Sequence, residues 1–141
     1  MMKPAQISAR HPFAFRLDPD TGVPVYRQLI DQVQMGITTA ALKARDQLPT
    51  VRQVAVDLAI NPNTVQRAYR EMEIRGILST QQGTGTFIAA QKTERSRPEA
   101  RAEQQRRLTQ LTSEFVARAG ASGFTLQEII DSLRELIPNG K

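Results

Sequence analysis

The run Asn61-Pro62-Asn63-Thr64-Val65-Gln66-Arg67-Ala68-Tyr69-Arg70 constrains this chain more than any other stretch. Val65, Ala68, Tyr69 and Met72 fall at i, i+3, i+4 and i+7, which makes one apolar stripe on a helix. Asn63, Gln66, Arg67 and Arg70 repeat that spacing and form a second stripe roughly opposite. Every side chain of the second stripe donates hydrogen bonds, and no acid follows until Glu71. Amides and guanidinium groups pair bidentately with adenine and guanine edges in the DNA major groove. The competing reading is an ordinary solvated helix face. The flanking sequence has to choose between the two.

Upstream, Val51, Val54, Ala55 and Leu58 give the same apolar spacing over a short helix, residues 51–59. Pro62 pushes Asn61 out of the α region, so residues 60–62 form a tight break. Asn63 is read as the N-cap of the second helix. Two short amphipathic helices joined by such a break make a helix-turn-helix, whose second helix enters the major groove. Downstream of Gly76, residues 77–80 have strand composition, Gln82-Gly83-Thr84-Gly85 is turn chemistry, and Thr86-Phe87-Ile88 returns as a strand. A hairpin directly after the second helix is the winged variant. Gly83-Thr84-Gly85 lacks the Lys-Ser/Thr and helix of a phosphate-cradling loop, and that reading is rejected.

A further helix precedes this motif over residues 21–42, with Val25, Leu29, Val33 and Ile37 stepping by four beside Ile30. Pro24 suits its first helical position. Gly36 weakens it by roughly 1 kcal/mol relative to Ala unless it permits a close approach. Residues 43–49 read as a polar connection. In residues 1–20, Phe13-Ala14-Phe15-Arg16-Leu17 reads as a short edge strand or an arm packed on the core. Beyond the hairpin, residues 91–107 shift to a Lys, Arg, Glu and Gln-rich linker running into a solvated helix start. Leu108, Leu111, Phe115, Val116 and Ala119 then form an apolar stripe, and residues 120–123 break the chain. Thr125 and Glu128 make a capping box, with Phe124 and Ile129 placed as a hydrophobic staple. Leu126, Ile129, Ile130, Leu133, Leu136 and Ile137 form an apolar face ahead of Pro138.

The expected fold is therefore mainly α. Residues 1–20 form an N-terminal arm, 21–90 a winged helix-turn-helix, and 91–141 a linker and helical dimerisation region of two helices. Those two helices are too small to bury their apolar faces on each other alone. Helix-turn-helix proteins read half-sites related by a two-fold axis, which favours a second copy as the cover. Folding back onto the winged domain is the alternative.

The formal charge of +5 points to a polyanionic partner, nucleic acid before a membrane surface. With no Cys and a single His, His11 in the tail, metal and thiolate chemistry have no ligand set. Asp18 and Asp20 flank a Pro and read as turn residues. No nucleophile–base pair or nucleotide loop is present, so neither an enzyme nor a cofactor is expected. No apolar run spans a membrane and no signal-peptide core is found, so no membrane association and a cytoplasmic location are expected.

Pro24-Val25-Tyr26-Arg27-Gln28-Leu29, Leu48-Pro49-Thr50-Val51-Arg52, Asn61 to Tyr69 and Gly83-Thr84-Gly85-Thr86-Phe87 together resemble the GntR family of bacterial transcription regulators. The short C-terminal part resembles its YtrA-like subfamily. The resemblance implies a winged-helix repressor that binds double-stranded DNA as a homodimer. It carries DNA contact to Arg52, to Asn63, Thr64, Gln66 and Arg67 at the start of the recognition helix, and to Gln82, Gly83 and Gly85 at a wing tip in the minor groove. Larger relatives bind metabolites in a C-terminal domain, but residues 92–141 are too few for such a pocket, which leaves a small-molecule effector open. Two departures stand out. Ala44-Arg45 replaces a Pro-Gly before the first turn's Asp. Ala59 replaces a Gly, where a left-handed Ala would cost about 1 kcal/mol. Either that turn differs or the helix runs one residue longer. A winged helix that docks on protein without reading DNA is the alternative function, and a docking domain has no need for Asn, Gln and Arg on that face.

Overall fold

The computed structural model describes residues 13–90 and 98–137. His11, Pro138 and residues 91–97 of the expected linker lie outside them. The chain divides into two compact units, Met1–Gln91 and Lys92–Lys141.

The first unit opens with an extended segment, residues 13–18, followed by α1 (Val25–Thr38), α2 (Val51–Leu58), α3 (Pro62–Ile74) and an antiparallel hairpin of β1 (Leu78–Gln81) and β2 (Gly85–Ile88). The opening segment is an arm and not a strand. Its Phe15 enters the core at 7% exposure, edge-on to Phe13 and 6.4 Å from the Tyr69 ring. Two amides from α1 strap it down. Gln32 accepts from the Arg16 N–H at 2.8 Å and donates to the Arg16 carbonyl. Gln28 accepts from the Asp18 N–H at 2.9 Å and donates to the Asp18 and Val23 carbonyls. Each amide thus supplies the donor and acceptor that a neighbouring strand would supply.

Pro24 is the N-cap of α1, not its first helical residue: its ψ of 146° is extended, while its carbonyl already accepts from the Gln28 N–H. Gly36 earns its place by a close approach. A Cβ there would lie 2.7 Å from Leu42 Cδ1, so the missing methyl leaves room for the buried Leu42 to fold back over the helix end. The turn between them carries Ala40 at φ 65°.

The connection before α2 does more than link. The Leu48 N–H donates to the Thr86 carbonyl, Ile88 to Asp46 and Arg45 to Ile88, at 2.8–2.9 Å, so residues 45–48 run as a third strand-like edge beside β2. A three-deep ladder holds a hairpin that would be marginal alone. Its register pairs Leu78 with Ile88 and Gln81 with Gly85.

α2 begins at a capping box. Thr50 accepts from the Gln53 N–H at 3.1 Å while Gln53 accepts from the Thr50 N–H at 3.0 Å. It ends at Ala59, which keeps the left-handed geometry (φ 56°, ψ 46°) usually left to glycine. The Ile60 N–H reaches back to the Ala55 carbonyl at 3.0 Å, so the turn is closed and the helix is not extended. Arg45, the other departure, is likewise left-handed at φ 75°. α3 is capped by Asn61 and not by Asn63. Asn61 Oδ1 accepts from the Asn63 N–H at 2.8 Å, and Pro62 takes the first helical position, where no N–H is needed.

The second unit holds α4 (Pro98–Ala121) and α5 (Leu126–Arg134). α4 starts well inside the stretch read as linker and runs through Gly120, with the reversal made by Gly123 at φ 96°. The expected capping box is formed: Thr125 accepts from the Glu128 N–H at 3.2 Å and Glu128 accepts from the Thr125 N–H at 2.8 Å. Those bonds from the Thr125 backbone and side chain hold the Glu128 carboxyl below its usual range. Ile129 is buried at 6%, yet α4 contributes no buried residue. Leu136 and Ile137 lie past the end of α5.

Ala59→Gly should raise the stability of the first unit by about 1 kcal/mol, because glycine adopts the left-handed turn without the Cβ penalty. Urea unfolding of both proteins checks this; a midpoint for the glycine variant at or below the parent contradicts it.

Candidate nucleic-acid interface

α3 presents two faces, and one makes the other rigid. Val65, Ala68 and Met72 are fully buried and Tyr69 is 5% exposed. Burying side chains of this size stabilises by about 1.5–3 kcal/mol each for the larger ones. The Tyr69 hydroxyl donates to the Pro49 carbonyl, tying the helix to the turn that starts α2. Burial pushes that phenol well above the usual tyrosine range, so it stays a neutral donor. On the opposite face, Asn63, Gln66, Arg67 and Arg70 are all exposed and line one shallow depression with Glu71 and Ile74.

The depression is donor-rich for a structural reason. Glu71, its one acid, is turned to Arg75 one helical turn on, at 2.5 Å. Arg67 lies over the ring of Tyr26, with Cζ 3.8 Å from the centroid. With Asn61 serving as cap, the Asn63 side chain is not consumed by the helix start. Thr64, half-buried, sits in the first turn, where the positive end of the helix dipole lies, and its N–H donates to the Asn61 carbonyl at 3.0 Å.

The other expected residues stand on other elements. Arg52 is exposed at the second position of α2, and Gln82 and Gly83 are exposed at the hairpin tip, with Gly83 at φ 81°. Gly85 is half-buried, and its position has a steric requirement. Its φ is 132° and a Cβ there would lie 2.5 Å from Gln47 Nε2. That amide donates to the Thr84 carbonyl at 3.1 Å and so braces the tip from below. None of these lines the α3 depression. Four contributors were missed in the sequence. Ile74, 80% exposed, prolongs the reading face by one turn and was visible as the next i+4 position after Arg70. The Thr50–Gln53 box repeats the pattern recognised at Thr125. Tyr26 and Gln47 act across long sequence separations and leave no local signal.

Three helices, a braced hairpin, and a recognition helix buried on one side and donor-lined on the other define a winged helix-turn-helix, a DNA-binding fold. Residues 25–88 match the family described as bacterial regulatory proteins, gntR family. The chain is 36% identical over 118 residues to the HTH-type transcriptional regulator YhcF of Bacillus subtilis, covering 83% of this chain and 93% of that protein. It is 40% identical over 74 residues to the HTH-type transcriptional repressor YtrA of the same organism, 52% of this chain and 57% of that one. A solved GntR family transcriptional regulator from Listeria monocytogenes superimposes with a TM-score of 0.54 at 31% identity, over 82% of this chain and 97% of that chain. The chain belongs to the GntR family, and it is a DNA-binding transcriptional regulator and not an enzyme. Among the described residues, no helix is long and apolar enough to cross a membrane.

Proposed function

We propose that this chain is a cytoplasmic repressor that occupies a palindromic operator as a homodimer. Asn63, Gln66, Arg67 and Arg70 read base edges from α3. Arg52 and Thr64 hold phosphates, and Gln82, Gly83 and Gly85 bring the wing to the minor groove. The observation that carries this reading is the α3 depression, four donor side chains held outward by a fully buried opposite stripe. Phosphate contacts would supply most of the affinity, and the amide and guanidinium groups most of the discrimination.

The C-terminal unit supports the dimer. Leu108, Leu111, Phe115, Leu126 and Leu133 are all more than 40% exposed. Phe115, Phe124, Ile129 and Leu133 line an open apolar cleft of about 620 Å³. Apolar side chains at this density, on helices that do not cover them, fit a self-complementary two-fold contact. No effector is assigned to the cleft, because a second copy accounts for its apolar lining.

Gln66→Ala and Arg67→Ala should each weaken binding to the cognate site by about 1–3 kcal/mol per lost contact, with several counterions released per bound dimer. Titrating each protein into labelled duplex from upstream of its own gene, at low and physiological salt, measures both. Unchanged affinity in both variants, or binding indifferent to salt, contradicts the reading and favours a docking module. Leu133→Glu should convert a two-chain species to one chain in sedimentation equilibrium while the first unit keeps its melting transition. A parent that sediments as one chain, or a variant that keeps the two-chain mass, overturns the dimer.

A further inference from the structure

Tyr26 and Arg67, 41 positions apart in sequence, meet between two helices. Tyr26 is the second residue of α1, half-buried and packed against the core, so its ring is fixed by the domain. Arg67 projects from the exposed face of α3 with its guanidinium carbon 3.8 Å above the ring centroid. That is well inside the range over which an aromatic face attracts a cation. The ion pairs found among the described residues are Arg75–Glu71, Arg106–Glu103 and Arg134–Asp131, so no described carboxylate pairs with Arg67. The ring is what orients it.

We propose that Tyr26 is a positioning residue for Arg67, and that Arg67 so held is the arginine that sets the protein's preference for guanine at one base pair of each half-site. This rests on the reading of the α3 face as a base reader. The physical reason is entropic and geometric. A long arginine side chain loses much rotamer freedom when it docks in a fixed pose, and bidentate pairing with guanine O6 and N7 needs its planar fork at a defined angle. A side chain already restricted by the ring has less freedom left to lose. Unlike a carboxylate partner, the ring neutralises no charge, so Arg67 stays fully available to DNA. The function belongs to the ring and not to the phenolic hydroxyl.

The test uses the full chain and a duplex carrying the site that the parent protein selects from a randomised duplex library. Tyr26→Phe should bind within about twofold of the parent, since the aromatic face is kept. Tyr26→Leu should bind about threefold more weakly per protomer. Its loss should fall on the same base pair whose preference disappears in Arg67→Ala. The double variant Tyr26→Leu/Arg67→Ala should be no weaker than Arg67→Ala alone, because nothing remains to be positioned. Parental binding by Tyr26→Leu, a loss spread evenly over all base pairs, or additive losses in the double variant would each overturn the inference. Should Tyr26→Leu fail to fold, Tyr26→Met is judged by the same three outcomes. A parent that selects a site which Arg67→Ala binds equally well overturns this inference alone. A parent that selects no site overturns the base-reading function and this inference with it.

Discussion

The burial of one stripe of α3 is the constraint on which the rest of this molecule depends. Val65, Ala68, Tyr69 and Met72 are removed from water almost completely. That leaves the helix a single rotational setting, and the setting points Asn63, Gln66, Arg67 and Arg70 outward. The Tyr69 hydroxyl adds a directional lock to the Pro49 carbonyl, in a site whose burial raises the phenol's titration still further above neutral pH. A reading helix needs this arrangement, since a shift of one residue about its axis would bury amides and expose the core. The regulator's function is thus a consequence of packing before it is one of surface chemistry.

Around that helix, the fold repeatedly uses side-chain amides where backbone partners are lacking. Gln28 and Gln32 serve the arm, Gln53 serves the start of α2, and Gln47 supports the hairpin tip. Each is a neutral group with a donor and an acceptor: Gln28 and Gln32 use both on the arm backbone, Gln53 accepts and Gln47 donates, and none adds charge. In a basic domain that binds a polyanion, this has a consequence. The arm and wing are secured without spending cations that phosphate contacts would use. The left-handed Arg45 and Ala59 work the other way, as turn positions whose geometry is held by the pairing around them at a cost of about 1 kcal/mol or more each.

Sequence periodicity was a good guide wherever the determining contacts are local. The two stripes of α3, the hairpin about Gly83 and Gly85, and the Thr125–Glu128 box are all present in the structure. The errors have physical causes. Asn63 looked like the cap because it precedes the apolar run, but Pro62 is already helical and hands that role to Asn61. Residues 43–49 looked like a mere connection because their pairing with β2 is made by backbone groups and leaves no side-chain pattern. The Thr50–Gln53 box was legible and missed, while the Tyr26–Arg67 and Gln47–Thr84 contacts were not legible, since they join segments separated by about forty residues. Among candidate site residues, those on α3 are brought together by the helix itself. Arg52 and the wing residues depend on tertiary placement that a linear reading does not contain.

The account is tested most directly by an NMR titration of the labelled protein with the DNA duplex it selects. The side-chain amides of Asn63, Gln66 and Gln82 report on the proposed contact faces, and those of Gln28 and Gln32 on the strapped arm behind them. The account predicts that the first set shifts on binding, together with backbone signals from the start of α3, while the second set stays put. Shifts confined to the C-terminal unit, or an α3 face that stays silent while DNA binds, would contradict it.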